Sequence, residues 1–150
     1  MGCDIHVHIE MQAAGGVWTR AEDVVPNPWY DPGETYRGNT PETYDDWYHN
    51  RNYRLFGILA GVRADAEPIE HPIGLPDDVG QSVEYEYGDA WDWHTAHWYA
   101  LSELENHRHR FHPDIHCQDF LDCIDKMRDL ADEELDGDPN KIRMVFWFDN

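Results

Sequence analysis

The feature that most constrains the fold is a stretch of alternating residues at positions 3–10. Successive side chains of a β-strand point to opposite faces, so the alternation divides the stretch into two sets. The apolar set consists of Cys3, Ile5, Val7 and Ile9, and the polar set consists of Asp4, His6, His8 and Glu10. Every polar member is a group that binds metals or transfers protons. The stretch therefore predicts a one-sided strand whose polar face is a candidate metal or catalytic site.

An Asp-x-His-x-His strand near the N-terminus also opens the metal sites of amidohydrolase-type barrels. Eight β/α units need about 250 residues, and this chain has 150. The barrel is therefore excluded, while the local chemistry of the strand is not. The structural alternative is a half-exposed strand that happens to hold two histidines.

Composition limits the remaining possibilities. A chain of 150 residues is expected to form a single domain over positions 1–150. Its net charge of −20 repels polyanions, so long DNA or RNA is not an expected partner, whereas a small anion can still bind locally. An odd number of cysteines, no targeting segment and no membrane-length apolar run predict a cytoplasmic protein with no membrane partner.

The hydrophobic pattern predicts an α+β domain. A returning strand at 17–20 forms a hairpin with the first strand, and the alternation at 82–87 predicts another strand. Helical stripes lie near 51–63 and 116–134, and the apolar run 142–148 is typical of a central strand. We expect a mixed or antiparallel sheet that includes the N- and C-terminal strands, with helices on one side and long aromatic-rich loops. If the terminal strands are neighbours, Asp149 comes near the end of the histidine face.

Two further segments are candidate contributors to a site. The stretch 88–98, interpreted as a loop, holds two Asp, two His and three Trp, although a tryptophan-rich packing corner is the alternative. The segment Arg51-Asn52-Tyr53 opens the first helical stretch, and Asn50 or Asn52 is a candidate N-cap. Backbone N–H groups of that first turn, with arginine beside them, offer a place for an anion. An ordinary amphipathic helix with polar ends is the alternative.

Several segments together resemble a known family. They are Met-Gly-Cys-Asp-Ile-His at 1–6 with Glu10, the 51–60 segment, Gly-Leu-Pro-Asp-Asp at 74–78, His94 with the Leu-Ser-Glu-Leu at 101–104, and Phe-Trp-Phe-Asp-Asn at 146–150. The chain resembles small phage and prophage proteins that begin and end with these signatures. The resemblance implies no particular reaction, but it ranks His6 above His8 and His94 above His97 as ligands. It also favours Arg51 as a pocket residue and the host cytoplasm as the location.

The first functional hypothesis is a metal-dependent hydrolase, most plausibly a phosphodiesterase acting on a small nucleotide. The metal candidates for zinc, manganese or iron are His6, His8, His94 and Asp149; the catalytic candidates are Asp4 and Glu10; the substrate-binding candidates are Arg51, Asn52, Tyr53, Trp91 and Trp93. The metal would activate water and polarise the phosphoryl oxygen, a carboxylate would act as general base, and aromatic rings would stack on the base. By analogy, a phage protein of this kind would counter host defence by destroying a nucleotide signal.

Two alternatives belong to other classes. A metal-free or structurally metallated pocket would use the same residues to sequester a small nucleotide without turnover. An acidic interaction protein would use its charge of −20 to mimic nucleic acid and block a DNA-binding enzyme. Substituting His6 or His94 would leave such an interaction protein unaffected, provided that it still folds.

Overall fold

The computed structural model describes residues 2–88, 92–112 and 116–150. The strands are β1 (Ile5–Gln12), β2 (Trp18–Arg20), β3 (Val24–Pro26), β4 (Glu42–Tyr44), β5 (His94–Ala100) and β6 (Ile142–Phe148). The α-helices are α1 (Tyr53–Ala60), α2 (Gln81–Tyr87), α3 (Leu101–Asn106) and α4 (Gln118–Glu134), and a 3₁₀ turn covers Arg108–Arg110. In the described part of the chain, no helix is long and apolar enough to cross a membrane.

The main sheet is antiparallel and has the strand order β2-β1-β6-β5, while β3 and β4 pair separately. Strand β6 is central, and all seven of its residues are buried, as its continuous apolar run predicts. Strand β1 pairs with β6 so that Ile5 faces Phe148 and Glu10 faces Arg143. The predicted α+β class, with an antiparallel sheet that contains both terminal strands, is therefore confirmed.

One face of the sheet carries the larger core. The apolar set of β1 and the phenylalanines of β6 pack there with residues of α1, α3 and α4. The helix residues that are fully buried against this face include Leu55, Phe56, Leu59, Leu101, Leu104, Phe120 and Met127. Burying one such side chain stabilises the fold by about 1.5–3 kcal/mol. This layer fixes which face of β1 is left for polar residues.

Helix α2 covers the other face of the sheet, and here the predicted strand at 82–87 is wrong. Val83 and Tyr87 are four residues apart, so on a helix both reach Trp147 on β6. A strand would have placed Tyr85 on the same face as these two residues, yet Tyr85 is 55% exposed. A six-residue alternation is compatible with both periods, and the helix is the form that covers Trp147 of β6 with Val83 and Tyr87.

Strand β5 lies where the sequence predicted a loop. It pairs with β6, and the register shifts between His94 and His97 at a bulge. Thr95 has a positive φ of 56° within this bulge. The extra residue breaks the alternation that would have identified the strand, and pairing with β6 satisfies backbone groups that would otherwise be buried without partners.

The start of α1 follows the predicted capping. The side chain of Asn52 accepts a hydrogen bond from the Leu55 N–H, and Gly61 ends the helix in the left-handed conformation with φ 70°. Helix α4 ends before Gly137, as predicted, whereas its predicted cap, Asp114, lies outside the described residues.

Candidate functional site

The beginning of β1 and the end of β6 bring together three of the predicted site residues. The Asp149 N–H donates to the Asp4 carbonyl at 3.1 Å, and the Asp4 N–H donates to Asp149 Oδ1 at 3.1 Å. The second carboxylate oxygen, Oδ2, lies 2.8 Å from His6 Nε2. The antiparallel register produces this contact, because His6 faces Trp147 and Asp149 follows two residues later on the same face.

The surroundings of Asp149 assign the protonation of this pair. Burial raises the pKa of Asp149, but hydrogen bonds from His6 and from the Asp4 backbone outweigh it, so the pKa is lowered overall. An ionised Asp149 only accepts hydrogen bonds, so His6 Nε2 is the donor in this contact, and in the neutral imidazole Nδ1 is then the nitrogen with the lone pair. His6 Nδ1 makes no hydrogen bond to any described residue, and the His6 side chain is 27% exposed. The pair therefore has the arrangement of a carboxylate-oriented general base.

Arg51 supplies a positive charge beside the pair. Its Nε and Nη2 atoms each lie 2.8 Å from Asp4 Oδ1. The hydrogen bond and the attraction of Asp4 raise the pKa of Arg51. The guanidinium lies over Gly2, where an added Cβ would come within 2.7 Å of both terminal nitrogens. A glycine at this position is thus what lets Arg51 lie against the chain and reach Asp4.

Two tryptophans form an aromatic wall next to His6. The Trp93 ring is 4.3 Å from the His6 ring in an edge-on arrangement, and the Trp147 ring stacks at 6.1 Å. The indole nitrogens of Trp93 and Trp147 are buried without a hydrogen-bond partner among the described residues. Trp93 therefore lies beside His6, while Trp91 lies outside the residues that the structure describes.

His8 takes part in a different contact. It is buried at 1% exposure, and its Nε2 lies 2.9 Å from Glu86 Oε2 on α2. Arg20 adjoins this pair and also contacts Glu22 and Asp46. Burial raises the pKa of Glu86, but the hydrogen bond and charge of His8 with the charge of Arg20 lower it overall. The structure thus joins His8 to α2 rather than to His6 and Asp149.

Glu10 is held in a buried ion pair. Its Oε1 accepts from Arg143 Nε at 2.9 Å and lies 2.8 Å from Arg143 Nη2, and its Oε2 accepts from the Gly80 N–H at 2.7 Å. The side chain has no exposed surface to offer a substrate, since Glu10 is 0% exposed. Sequence reasoning missed Arg143, because its pairing with Glu10 follows from the β1–β6 register rather than from any local motif.

The remaining predicted residues lie apart from the His6 face. His94 pairs with Phe148 across the strands and stacks on it at 6.1 Å, so it belongs to the opposite face of the sheet. Asn52 is used as the helix cap described above. The Tyr53 hydroxyl accepts a hydrogen bond from the Cys3 N–H at 3.1 Å, next to the start of β1.

The predicted metal ligands are therefore only partly assembled. Among residues 2–88, 92–112 and 116–150, no group of three or more His, Cys, Asp or Glu side chains is arranged to hold a metal ion. Two ligands of one zinc, with bonds of about 2.0–2.1 Å, lie about 3.3 Å apart in tetrahedral geometry. His6 Nε2 and Asp149 Oδ2 are closer, at 2.8 Å, which is hydrogen-bonding distance.

Comparisons with protein families, with curated proteins and with solved structures found no match.

Proposed function

We propose that this protein is a hydrolase of small phosphodiesters, such as a nucleotide, and that His6 is its general base. The observation that carries the proposal is the 2.8 Å contact between His6 Nε2 and Asp149 Oδ2 at a partly exposed end of the sheet. A general base must be oriented and accessible, and a partly exposed histidine held by a carboxylate meets both conditions.

The proposed step is attack of water on phosphorus. His6 Nδ1 takes a proton from the water as the new P–O bond forms, and Asp149 stabilises the resulting imidazolium. The bond from phosphorus to the leaving oxygen then breaks, and His6 returns the proton to that oxygen. The products are a phosphomonoester and an alcohol, and His6 ends in its starting state.

Arg51 is proposed to bind the phosphate. On a chain with a net charge of −20, a small anion needs a local cation, and the Arg51 guanidinium is half exposed beside Asp4. The ion pair with Asp4 is an exposed one, so exchanging Asp4 for a substrate oxygen costs little. Trp93, 4.3 Å from the His6 ring, would stack on the base of the nucleotide.

A divalent metal remains part of the proposal to be tested. His6 and Asp149 would be two protein ligands for zinc, manganese or iron, with the substrate phosphate and water completing the coordination. Metals that act on phosphates are often held by few protein groups and by the substrate itself. Binding would require the two side chains to separate from their hydrogen-bonding distance of 2.8 Å.

The test is turnover of bis(p-nitrophenyl) phosphate and of a panel of cyclic and linear dinucleotides, with chelator and separately with each metal. We expect His6→Gln and Asp149→Asn to lower kcat/KM by about 10²–10⁴-fold, the usual contribution of a positioned base. His49→Gln is the matched control, because His49 is exposed and lies outside the site.

Full activity of a folded His6→Gln variant would show that His6 is not the general base. Binding of a dinucleotide by the wild type without any product would instead favour the sequestering alternative. Activity only with added metal, lost in both variants, would identify the pair as metal ligands rather than as a proton-transfer pair.

A further inference from the structure

We propose that a second cavity, formed around Trp98 and Arg143, binds an uncharged saccharide. The cavity has a volume of about 750 Å³ and lies between the loop that precedes α2 and the start of α3. Its polar lining consists of Asp77, Asp78, Ser102, Glu103, Asn140 and Arg143, and its aromatic lining consists of Trp18 and Trp98. This volume is within the range of about 300–1,000 Å³ that is typical of small-molecule sites.

The cavity is distinct from the proposed hydrolase site. Arg143 and Asp149 are six positions apart on and just beyond β6, which corresponds to about 20 Å along an extended strand. The hydrolase site lies where β1 begins, whereas Arg143 pairs with Glu10 near the other end of β1. A ligand in one place therefore does not contact the other.

The Arg143 guanidinium forms the floor of the cavity, where it lies between two indole rings and its charge is balanced by carboxylates. The Arg143 Cζ lies 3.8 Å from the Trp18 ring centroid and 5.4 Å from that of Trp98. Its nitrogens bond to Glu10 and, through Nη1 at 2.9 Å, to Asp78 Oδ1. Arg143 is 2% exposed, so its charge is satisfied inside the protein and Trp98 is held as a rigid platform.

Asp78 and Asp77 provide hydrogen-bond acceptors at the edge of the Trp98 ring. Asp78 is held in place by hydrogen bonds, whereas Asp77 is open to solvent. Asp78 accepts from Arg143 through Oδ1 and from the Trp18 indole through Oδ2 at 3.0 Å, yet its side chain is 65% exposed. Each carboxylate oxygen accepts two hydrogen bonds, so Asp78 retains acceptor capacity in a fixed orientation. Asp77 is exposed and makes no hydrogen bond within the described ranges.

Ser102 and Asn140 add a donor on the opposite wall. The Ser102 hydroxyl donates to Asn140 Oδ1 at 2.6 Å. This bond fixes the amide so that its oxygen points to Ser102, which leaves the Nδ2 group as a donor. The cavity thus offers both acceptors and a donor around an aromatic surface.

This combination selects an uncharged hydroxylated ring over an ion. An anion would approach Asp77 and Asp78, which repel it. A simple ammonium ion only donates hydrogen bonds, so it offers no acceptor to the Asn140 amide. A sugar hydroxyl both donates and accepts, and the C–H face of a pyranose packs on the partly exposed Trp98 ring.

The test uses ¹⁵N–¹H NMR of the seven tryptophan indoles, with glucose, galactose, N-acetylglucosamine and maltose as probes. We expect at least one sugar to shift the Trp98 and Trp18 signals in a saturable manner. Trp98→Leu should weaken that binding by about tenfold or more, because aromatic anchors contribute most to such contacts. Trp29→Leu is the matched control, because Trp29 is 84% exposed and does not line the cavity.

Asp77→Asn provides a variant that leaves the core untouched, and it should weaken the same sugar without altering the free spectrum of Trp18. The proposal is overturned if no sugar shifts these signals at 50 mM or below, roughly the weakest binding that such a site would show. It is also overturned if arginine or choline shifts them and the sugars do not, or if Trp29→Leu reduces binding as much as Trp98→Leu.

Discussion

Replacing Glu10 by Gln should destabilise the protein by about 3 kcal/mol, because it removes the buried carboxylate that pairs with Arg143 inside the fold. The two side chains are 1% and 3% exposed. Breaking a buried pair costs about 3–5 kcal/mol. The lower end applies here, since Asp78 still accepts from Arg143 Nη1 at 2.9 Å.

The matched control is Asp4→Asn, which breaks the ion pair with Arg51. Those side chains are about half exposed, at 49% and 50%. Exposed pairs contribute about 0–1 kcal/mol, so Asp4→Asn should change the free energy of unfolding by less than Glu10→Gln does. The double variant Glu10→Gln with Arg143→Met should be more stable than Glu10→Gln alone, because it also removes the buried charge that has lost its buried partner.

The assay is urea denaturation followed by tryptophan fluorescence, with the free energy of unfolding compared at equal m-value. A loss of less than 1 kcal/mol for Glu10→Gln would refute the structural role argued for this pair. A folded, equally stable Glu10→Gln variant that lost phosphodiesterase activity would restore Glu10 to the catalytic role that the sequence predicted.

Three further predictions test other parts of the account. The lowered pKa of Asp149 means that its contribution to stability is complete above the usual carboxyl pKa and is lost as pH falls through the lowered value. Asp149→Asn should remove this part of the acid dependence, and urea denaturation at several pH values measures it. Gly2→Ala should displace the Arg51 guanidinium and raise KM for the phosphodiester with little change in the free energy of unfolding. Val83→Ala should cost about 2 kcal/mol of unfolding free energy, whereas Val24→Ala, at a position 54% exposed, should cost almost none in the same assay.

The strands at both ends of the chain could be predicted because their signals are local. The alternation of positions 3–10 predicts which face of β1 packs in the larger core, although His8 and Glu10 on the other face are buried as well. The apolar run 142–148 predicts that β6 is covered on both faces. Once these two strands are neighbours, the placement of Asp149 next to His6 follows from register alone. Helix α1 could be predicted for the same reason, because its apolar stripe and its Asn52 cap lie within one turn of each other.

The parts that could not be predicted depend on distant partners. Glu10 and His8 have the same local pattern as His6, but Arg143 pairs with Glu10 from 133 residues away and Glu86 pairs with His8 from α2. Neither partner is marked by a motif. The same holds for His94, because a bulge in β5 decides which face of the sheet it occupies. Side chains on one face of a strand thus point in the same direction, but their chemical roles depend on partners elsewhere in the chain.

The measurement that tests the central claim most directly is mass spectrometry of a cyclic dinucleotide after incubation with the protein in ¹⁸O-labelled water. If His6 activates water for attack on phosphorus, the wild type will yield a phosphomonoester product carrying one ¹⁸O atom, and His6→Gln will yield none above background. Recovery of the intact, unlabelled dinucleotide from wild-type protein that demonstrably binds it would contradict the account, as would equal labelled product from both proteins.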